Sequence, residues 1–575
     1  MPNGQLSPAG RAAALARLAG TEYDVLVVGG GVTGAGAALD AATRGLAVAL
    51  VEMRDYAAGT SSRSGKLIHG GLRYLEQFDF GLVRESLRER RLLLKDLAPH
   101  LVKPIRFLYP LRRRLWERAY VGAGLLLYDT IGGAGALPRH RHLSLRAVRR
   151  LAPGVRGSGL IGAITFYDAQ IDDSRHTLEL VRTAAAHGAE VASAVKVVGL
   201  ETSGGAVRGA HVRDLESGEP FTIRAKHVVN ATGVWTDGVR GLAGGRPGFT
   251  VQASKGVHIM VPRERIRSDV SLFVRAEDSV LFVRSWRRHW LIGTTDTAWT
   301  AGLDHPAATS ADIDYLLRNV NAALETELTR DDIDGVFAGL RPLIRDREAT
   351  GAGTTSRLSR EHAVETSVPG LTTIAGGKYT TYRIMARDAV DAAVKGLGRA
   401  APPSRTESVP LLGAVGYAET RARAAGLAAS AGLTPARIDH LLGRYGSLTE
   451  DLIAMIIERP ELGRPIEGAP DYLLAEAVYA VTHEGALHLD DVLTRRTHIA
   501  IETRDRGAAA ARAIAPVIGA ELGWDGERVR QELGFCLARI EAELAAQRLP
   551  DDESAMAARD AVRDPRLRVA DGERL

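Results

Sequence analysis

The hydrophobic pattern changes period twice within the first fifty or so residues. Val25–Val28 is a short, mostly β-branched apolar run, Ala35–Thr43 has helix-forming composition, and Leu46–Val51 is a second apolar run that ends in Glu52. Short apolar runs bounded by turn signals read as buried strands, so YDVLVVGGGVTGAGAALDAATRGLAVALVE (Tyr23–Glu52) predicts a β-α-β unit. Two later segments, AKHVVNATGVWTD (Ala225–Asp237) and GLTTIAGGKYTTYR (Gly370–Arg383), have the same strand-then-loop pattern. They lie far apart, which predicts one sheet assembled from distant pieces with a second domain inserted between them. Within that insertion VSLFVRAEDSVLFVRSWRRHWLIGTTD (Val270–Asp296) alternates like antiparallel strands.

Beyond Ala400, APPSRTESVPLLGA reads as a linker, and the stretch from about Ala418 to Gln547 is rich in Ala, Leu, Glu and Arg at helical spacing. The expected layout is an N-terminal extension (1–20), a dinucleotide-binding domain (21–400), a linker (401–417) and a C-terminal helical domain (418–575). The dinucleotide-binding domain is expected from about 21–80, 165–245 and 366–400, with substrate or cap insertions at about 81–164 and 246–365. A length of 575 residues accommodates these parts.

Composition changes this picture in three places. The net charge is only +5, but Arg84–Arg118 holds eleven Lys/Arg against four Asp/Glu, so the basic excess is local. The lone Cys536 excludes an intramolecular disulfide and any scheme that passes electrons through a cysteine pair. MPNGQLSPAGRAAALARLAG has no apolar leader core and reads as a short capped helix after Ser7-Pro8, which suggests a cytoplasmic protein. The weakly charged run Ala119–Pro138 contains Asp129 and five glycines, and reads as a buried or interfacial segment rather than a membrane span.

Gly29-x-Gly31-x-x-Gly34 directly follows a strand and opens a helix, the context in which glycines let a pyrophosphate approach the backbone and the helix N–H groups. Glu52, eighteen residues beyond Gly34, stands where a carboxylate accepts from ribose hydroxyls and would repel an NADP phosphate. No second fingerprint exists, since Gly122-Ala-Gly124 and Gly351-Ala-Gly353 lack the third glycine. One dinucleotide must therefore serve the reaction. The further glycine-rich elements NATG (Asn230–Gly233) and AGGK (Ala375–Lys378) favour a bound flavin over an exchangeable nicotinamide.

TSSRSGKLIHGGLRYLE (60–76), with the fingerprint, VVNATGVWTD, ASKGVHIMVP, LIGTTDT, GLRPL and AGGKYTTYR, closely resembles the respiratory, quinone-linked, FAD-dependent glycerol-3-phosphate dehydrogenase family. The motifs run in order from about Tyr23 to Arg383; Arg63, Gly65 and Val234 are small departures. The resemblance implies an α/β fold with a Rossmann-like FAD-binding domain, an inserted antiparallel-sheet substrate (cap) domain and a C-terminal all-helical domain. It implies oxidation of sn-glycerol 3-phosphate to dihydroxyacetone phosphate, with hydride leaving C2 for flavin N5.

Such a substrate needs several cationic donors, and the family pattern points to Arg73, Arg341, Arg360 and Lys378 for the phosphate and C2 oxygen, with Tyr74 beside them. His69 and His258 are the candidates for the base that takes the hydroxyl proton, with Arg341 and Lys378 as electrostatic partners. For FAD the resemblance implies Gly29, Gly31, Val32, Thr33, Gly34 and Glu52 in the first unit. It adds Thr60, Ser61, Ser62, Ser64, Lys66, Leu67 and His69 in the polar loop, and Gly233, Gly376, Gly377, Lys378, Tyr379 and Thr380 elsewhere. No metal is expected.

With no nicotinamide site and no cysteine pair, the reduced flavin needs an external acceptor, and quinone is the family's answer. The Arg84–Arg118 cluster, with Phe107, Tyr109, Leu111, Leu115 and Trp116 interleaved, then reads either as a peripheral seat on the inner face of an anionic membrane or as solvated helices. Nucleic acid is a poorer reading, because acids are interspersed and no binding module is recognisable. A homodimer stays open. The alternatives are a glycerol-3-phosphate oxidase using oxygen and a non-catalytic, FAD-stabilised membrane-surface or partner-binding protein.

Overall fold

The β-α-β unit forms where the pattern puts it, as the strand Glu22–Val28, the helix Val32–Thr43 and the strand Val48–Val51. Its third glycine is there for contact: a Cβ on Gly34 would lie 1.9 Å from the carbonyl oxygen of Gly29, so only glycine lets the helix pack this close to the strand end. The computed structural model describes residues 4–71, 79–112, 116–131, 137–244, 248–276, 280–346 and 361–566.

Around this unit the first sheet runs His362–Val368, Leu371–Gly376, Pro220–Asn230, Glu22–Val28, Val48–Val51, Glu190–Ala192. All neighbours are parallel except the edge strand His362–Val368, and the hairpin Val195–Ser203/Ala206–Asp214 continues the sheet from Pro220–Asn230. The helices Val32–Thr43, Asp173–Ala186 and Tyr382–Gly396 cover one face. Alanines at 35, 38, 42, 184, 386 and 389 let them approach closely. Leu18, from the Ser7-capped helix Pro8–Gly20, packs with the hairpin on the other face.

The second sheet sorts its side chains by strict alternation. Val257 and Ile259, Leu272 and Val274, Leu281 and Val283, and Trp290 and Ile292 point to one side and bury against Ile313, Leu316 and Val320 of the helix Ser310–Asn321. The residues between them, including His258, Phe273, Phe282, Arg284 and Leu291, turn to the other side and line a large cavity.

The structure corrects several boundaries. Gly162–Ile171 belongs to the second sheet, so the chain returns to the first layer at the helix Asp173–Ala186, later than 165. His362–Val368 joins the first sheet slightly before 366. The second sheet is not purely antiparallel, because Ser271–Arg275 pairs in parallel with Val102–Leu111. Alternation reports that a strand is half-buried; it does not report which distant strand it pairs with. The stretch 401–417 is no loose linker: Leu411 is in the main core and its N–H donates to Leu97 O at 2.9 Å. The C-terminal domain carries one small hairpin, Pro465–Ile466/Ala469–Leu473, among its helices.

Fully buried ion pairs join the C-terminal domain to the first: Arg175 with Glu484 at 2.6 Å and Arg496 with Asp55 at 2.7 Å. Uncharged histidines are buried as well. Desolvation pushes His176 down to about 3 and His227 to about 4. His227 Nε2 pairs with Thr372 Oγ1 at 2.8 Å. A histidine depressed in the fold binds a proton more readily once unfolded, so its contribution is present above the unfolded value near 6.5 and is lost as pH falls below it. Lowering the pH from 7 to 5 should therefore reduce the urea-unfolding free energy of the parent by about 2 kcal/mol more than that of His227→Gln. An unchanged difference would show that His227 is not held neutral.

Candidate active site

The cavity holds about 1600 Å³. That is larger than the 300–1,000 Å³ usual for a single small ligand and fits a dinucleotide with a substrate beside it. One end is built by the first unit. The helix Val32–Thr43 starts without a side-chain cap, and Gly31, Val32 and Thr33 line the cavity, so its leading N–H groups face inward, as an anionic pyrophosphate requires. Val32 N–H is already taken by Ser61 Oγ at 2.9 Å. Glu52 is aimed into the same end, its carboxylate accepting from Gly30 N–H at 2.7 Å and Arg54 N–H at 2.9 Å. Burial raises its pKa, and the two N–H groups oppose that rise.

The polar loop is held from behind by one residue. Asp173, fully buried at the start of its helix, accepts from Ser64 N–H at 3.1 Å, from Ser64 Oγ at 2.7 Å and from the buried Lys66 ammonium. Its backbone carbonyl accepts from Tyr379 OH at 2.8 Å. Thr60 Oγ1 donates to Leu340 O at 2.6 Å. The loop's hydroxyls therefore serve first to shape it. Thr380 Oγ1 closes on the backbone N–H and carbonyl of His69, each at 3.2 Å. Tyr128 OH accepts from Gly70 N–H at 2.8 Å and donates to Asp168, which also pairs with Arg90.

On the cap side, His258 stacks on Phe337 with centroids 4.9 Å apart and 10° between planes. Burial, then the charges of Arg284, Arg341 and Lys66, hold its pKa well below the usual histidine value, so it stands neutral at pH 7 and able to accept a proton. Arg341 is fixed by Asp296 at 3.2 Å, and by Thr294 Oγ1 and Thr295 O, each at 3.1 Å. Gly376 and Gly377 both have positive φ, and a Cβ on Gly377 would lie 2.5 Å from Met385 Sδ. That pair turns the chain so that Lys378 and Tyr379 reach the cavity wall.

The structure thus brings His69, His258, Arg341 and Lys378 to one cavity, together with Gly29, Gly31, Val32, Thr33, Glu52, Thr60, Ser61, Ser64, Leu67, Gly233, Gly376, Gly377 and Tyr379. Gly34, Ser62, Lys66 and Thr380 stand outside its wall: Gly34 packs on Gly29, Ser62 O accepts from Lys66, and Lys66 and Thr380 secure the loop. Arg73, Tyr74 and Arg360 lie outside the described residues. The sequence reading missed Asp173, Asp168, Arg284 and Asp296. Only Asp296 carried a signal, as the acid of LIGTTDT.

The basic segment divides differently from its sequence reading. Phe107 and Leu111 are buried in the cap and Tyr109 nearly so, while Arg90 is buried against Asp168, so these do not form a surface stripe. Leu115 lies outside the described residues. The helix Trp116–Ile131 carries exposed apolar residues at Trp116, Tyr120, Leu126 and Leu127, and Phe80, also exposed, lines the cavity.

Asp173→Ala should leave the Lys66 ammonium buried without its carboxylate and destabilise the chain by about 3–5 kcal/mol, with loss of the yellow flavin absorbance on gel filtration. Lys66→Met with Asp173→Leu should recover much of the stability but not the flavin. Retention of flavin by Asp173→Ala would remove the residue from this role.

The chain is similar to known proteins over most of its length. Residues 24–383 match the family described as FAD dependent oxidoreductase, and residues 404–529 match the C-terminal domain of alpha-glycerophosphate oxidase. The chain is 54% identical over 99% of its length, and 96% of the relative's, to a glycerol-3-phosphate dehydrogenase of Mycobacterium leprae. It is 36% identical to the mitochondrial glycerol-3-phosphate dehydrogenase of Homo sapiens over 92% of this chain and 74% of that one. The solved glycerol-3-phosphate dehydrogenase from Bacillus halodurans, complexed with FAD, superposes with a TM-score of 0.78 at 29% identity, covering 93% of this chain and 98% of that one. The Rossmann-like unit, the cap that faces it and the helical C-terminal domain thus mark the chain as a member of the FAD-dependent oxidoreductases and, among them, of the glycerol-3-phosphate dehydrogenase family.

Proposed function

We propose that this chain oxidises sn-glycerol 3-phosphate to dihydroxyacetone phosphate and passes the electrons to a quinone. The observation that carries the reading is the convergence of a neutral buried histidine, His258, and an oriented arginine, Arg341, on the wall that Gly376–Tyr379 and His69 share. FAD bound in the cavity supplies the hydride acceptor. Arg341, held by Asp296, binds the anionic substrate and fixes the orientation of C2. His258 takes the hydroxyl proton, since a neutral imidazole in a dry pocket has a free lone pair at working pH. His69, whose backbone is clamped by Thr380, is placed to hold the substrate's hydroxyls. Lys378 adds positive charge where negative charge develops.

Quinone as acceptor is supported by the cavity's second end, where Phe80, Trp116, Tyr120 and Leu127 form an apolar rim that is partly exposed. The same residues favour a peripheral seat on a membrane surface, with aromatic side chains at the interface. No helix among the described residues is long and apolar enough to cross a membrane.

Anaerobic addition of glycerol 3-phosphate should bleach the flavin absorbance, and unphosphorylated glycerol should do so far more weakly. Absence of bleaching with either would leave a non-catalytic FAD protein. Arg341→Ala should raise KM and lower kcat, and His69→Ala should keep the flavin while slowing its reduction; parent-like kinetics would take each out of the site. A rate of hydrogen peroxide formation equal to the rate of quinone-analogue reduction would assign the oxidase activity instead.

A further inference from the structure

Arg284 is a charged side chain among apolar neighbours. On the strand Val280–Trp286 the alternation sends Val280, Phe282 and Arg284 to the cavity side, and Leu291 is its register partner on the adjacent strand. The residue is only 1% exposed, yet it lines the cavity. One edge of its guanidinium is used, Nη1 donating to Lys66 O at 2.9 Å. Nη2 is buried with no hydrogen-bond partner among the described residues. No described carboxylate stands within ion-pair distance of it. Asp173 is the acid that acts on it through space, and that carboxylate is already paired with Lys66. Arg341, by contrast, carries its own carboxylate in Asp296.

A buried guanidinium with an unfilled donor edge is costly unless an anion meets it. Burial pushes Arg284 down to about 9, which still leaves it charged at neutral pH. Its charge is among those that act on His258, the residue assigned the substrate's proton. Hydroxyl groups would fill the donor edge without answering the charge; a phosphoryl group does both, and its oxygens suit the planar fork.

We propose that Arg284 is a phosphate-binding residue of the substrate site, its Nη2 edge taking a phosphoryl oxygen of the substrate and adding discrimination for phosphorylated over unphosphorylated polyols. This rests on the reading of the cavity as a glycerol 3-phosphate site. The anion is dianionic or nearly so at pH 7, so the contact is a charge-assisted hydrogen bond in a desolvated pocket.

The test uses the flavin-loaded protein and the variants Arg284→Met and Arg284→Lys, each first shown to retain parental flavin content and melting temperature. Anaerobic titration with glycerol 3-phosphate, read from flavin absorbance, should require about 10- to 100-fold more ligand for Arg284→Met. Inorganic phosphate, read as a shift of the flavin spectrum and as competition against glycerol 3-phosphate, should weaken in parallel. Any loss of rate with unphosphorylated glycerol, which reports the action of Arg284 on His258, should be at least about tenfold smaller than the loss with glycerol 3-phosphate, and Arg284→Lys should recover part of the latter, since a point charge replaces the fork.

Equal phosphate and glycerol 3-phosphate affinity in parent and Arg284→Met overturns the proposal, as does an equal loss with glycerol. If Arg284→Met loses flavin, the less drastic Arg284→Lys and Arg284→Gln decide by the same ratio of phosphate to glycerol effects. Failure of the parent itself to bleach would refute the dehydrogenase reading. The phosphate titration of parent against variant would still decide the anion site.

Discussion

A pair of adjacent acids, Asp172 and Asp173, holds the two sheets and the C-terminal domain in one arrangement. Asp173 collects Ser64 and Lys66 from the polar loop, and its carbonyl receives Tyr379 from the glycine-rich turn. Asp172 caps the same helix and reaches the other way, pairing with His498 at 2.8 Å and Arg444 at 3.3 Å from the C-terminal domain. Buried carboxylates are tolerated only when they are fully paired, so each partner must be in place for the others to be stable. The wall of the cavity is thereby coupled to a domain that contributes none of its described lining residues.

The second sheet adds the complementary constraint. Through 257–259, 272–274, 281–284 and 290–292 its side chains alternate between core and cavity wall. His258 sits on the wall side between Val257 and Ile259, which are both fully buried in the core. His258, Arg284 and Arg341 are thus displayed on a hydrogen-bonded sheet whose geometry is set by strand register, while His69 and Lys378 come from the polar loop and the glycine-rich turn. Gly293 faces His258 in that register, and a Cβ there would lie 2.2 Å from the imidazole, so the ring occupies space that the opposite strand leaves open.

Much of this was legible in the residues. The fingerprint, the acid at the end of the second strand and the helical C-terminal half all followed from local spacing, because each depends on contacts within a few dozen residues. What stayed hidden is non-local. The pairing of Ser271–Arg275 with Val102–Leu111 joins strands more than 150 residues apart, and nothing in either strand's alternation encodes it. Asp173 and Asp168 lie in an ordinary-looking segment, FYDAQIDDSRH, and acquire their roles from what folds against them. The family resemblance reads Ser64 and Lys66 as cofactor ligands; in the fold both side chains bond to Asp173.

The tie between Asp55 and Arg495 and Arg496 has a temporal side. Asp55 lies three residues beyond Glu52, near the cavity's first-built end, yet its counter-charges come from the last seventh of the chain. During synthesis the Rossmann-like unit emerges early and must wait, with a desolvation-prone carboxylate still in water, until those arginines leave the ribosome. The binding chamber is therefore braced only after residues 495 and 496 have been made, long after the last of its described lining residues, Met385.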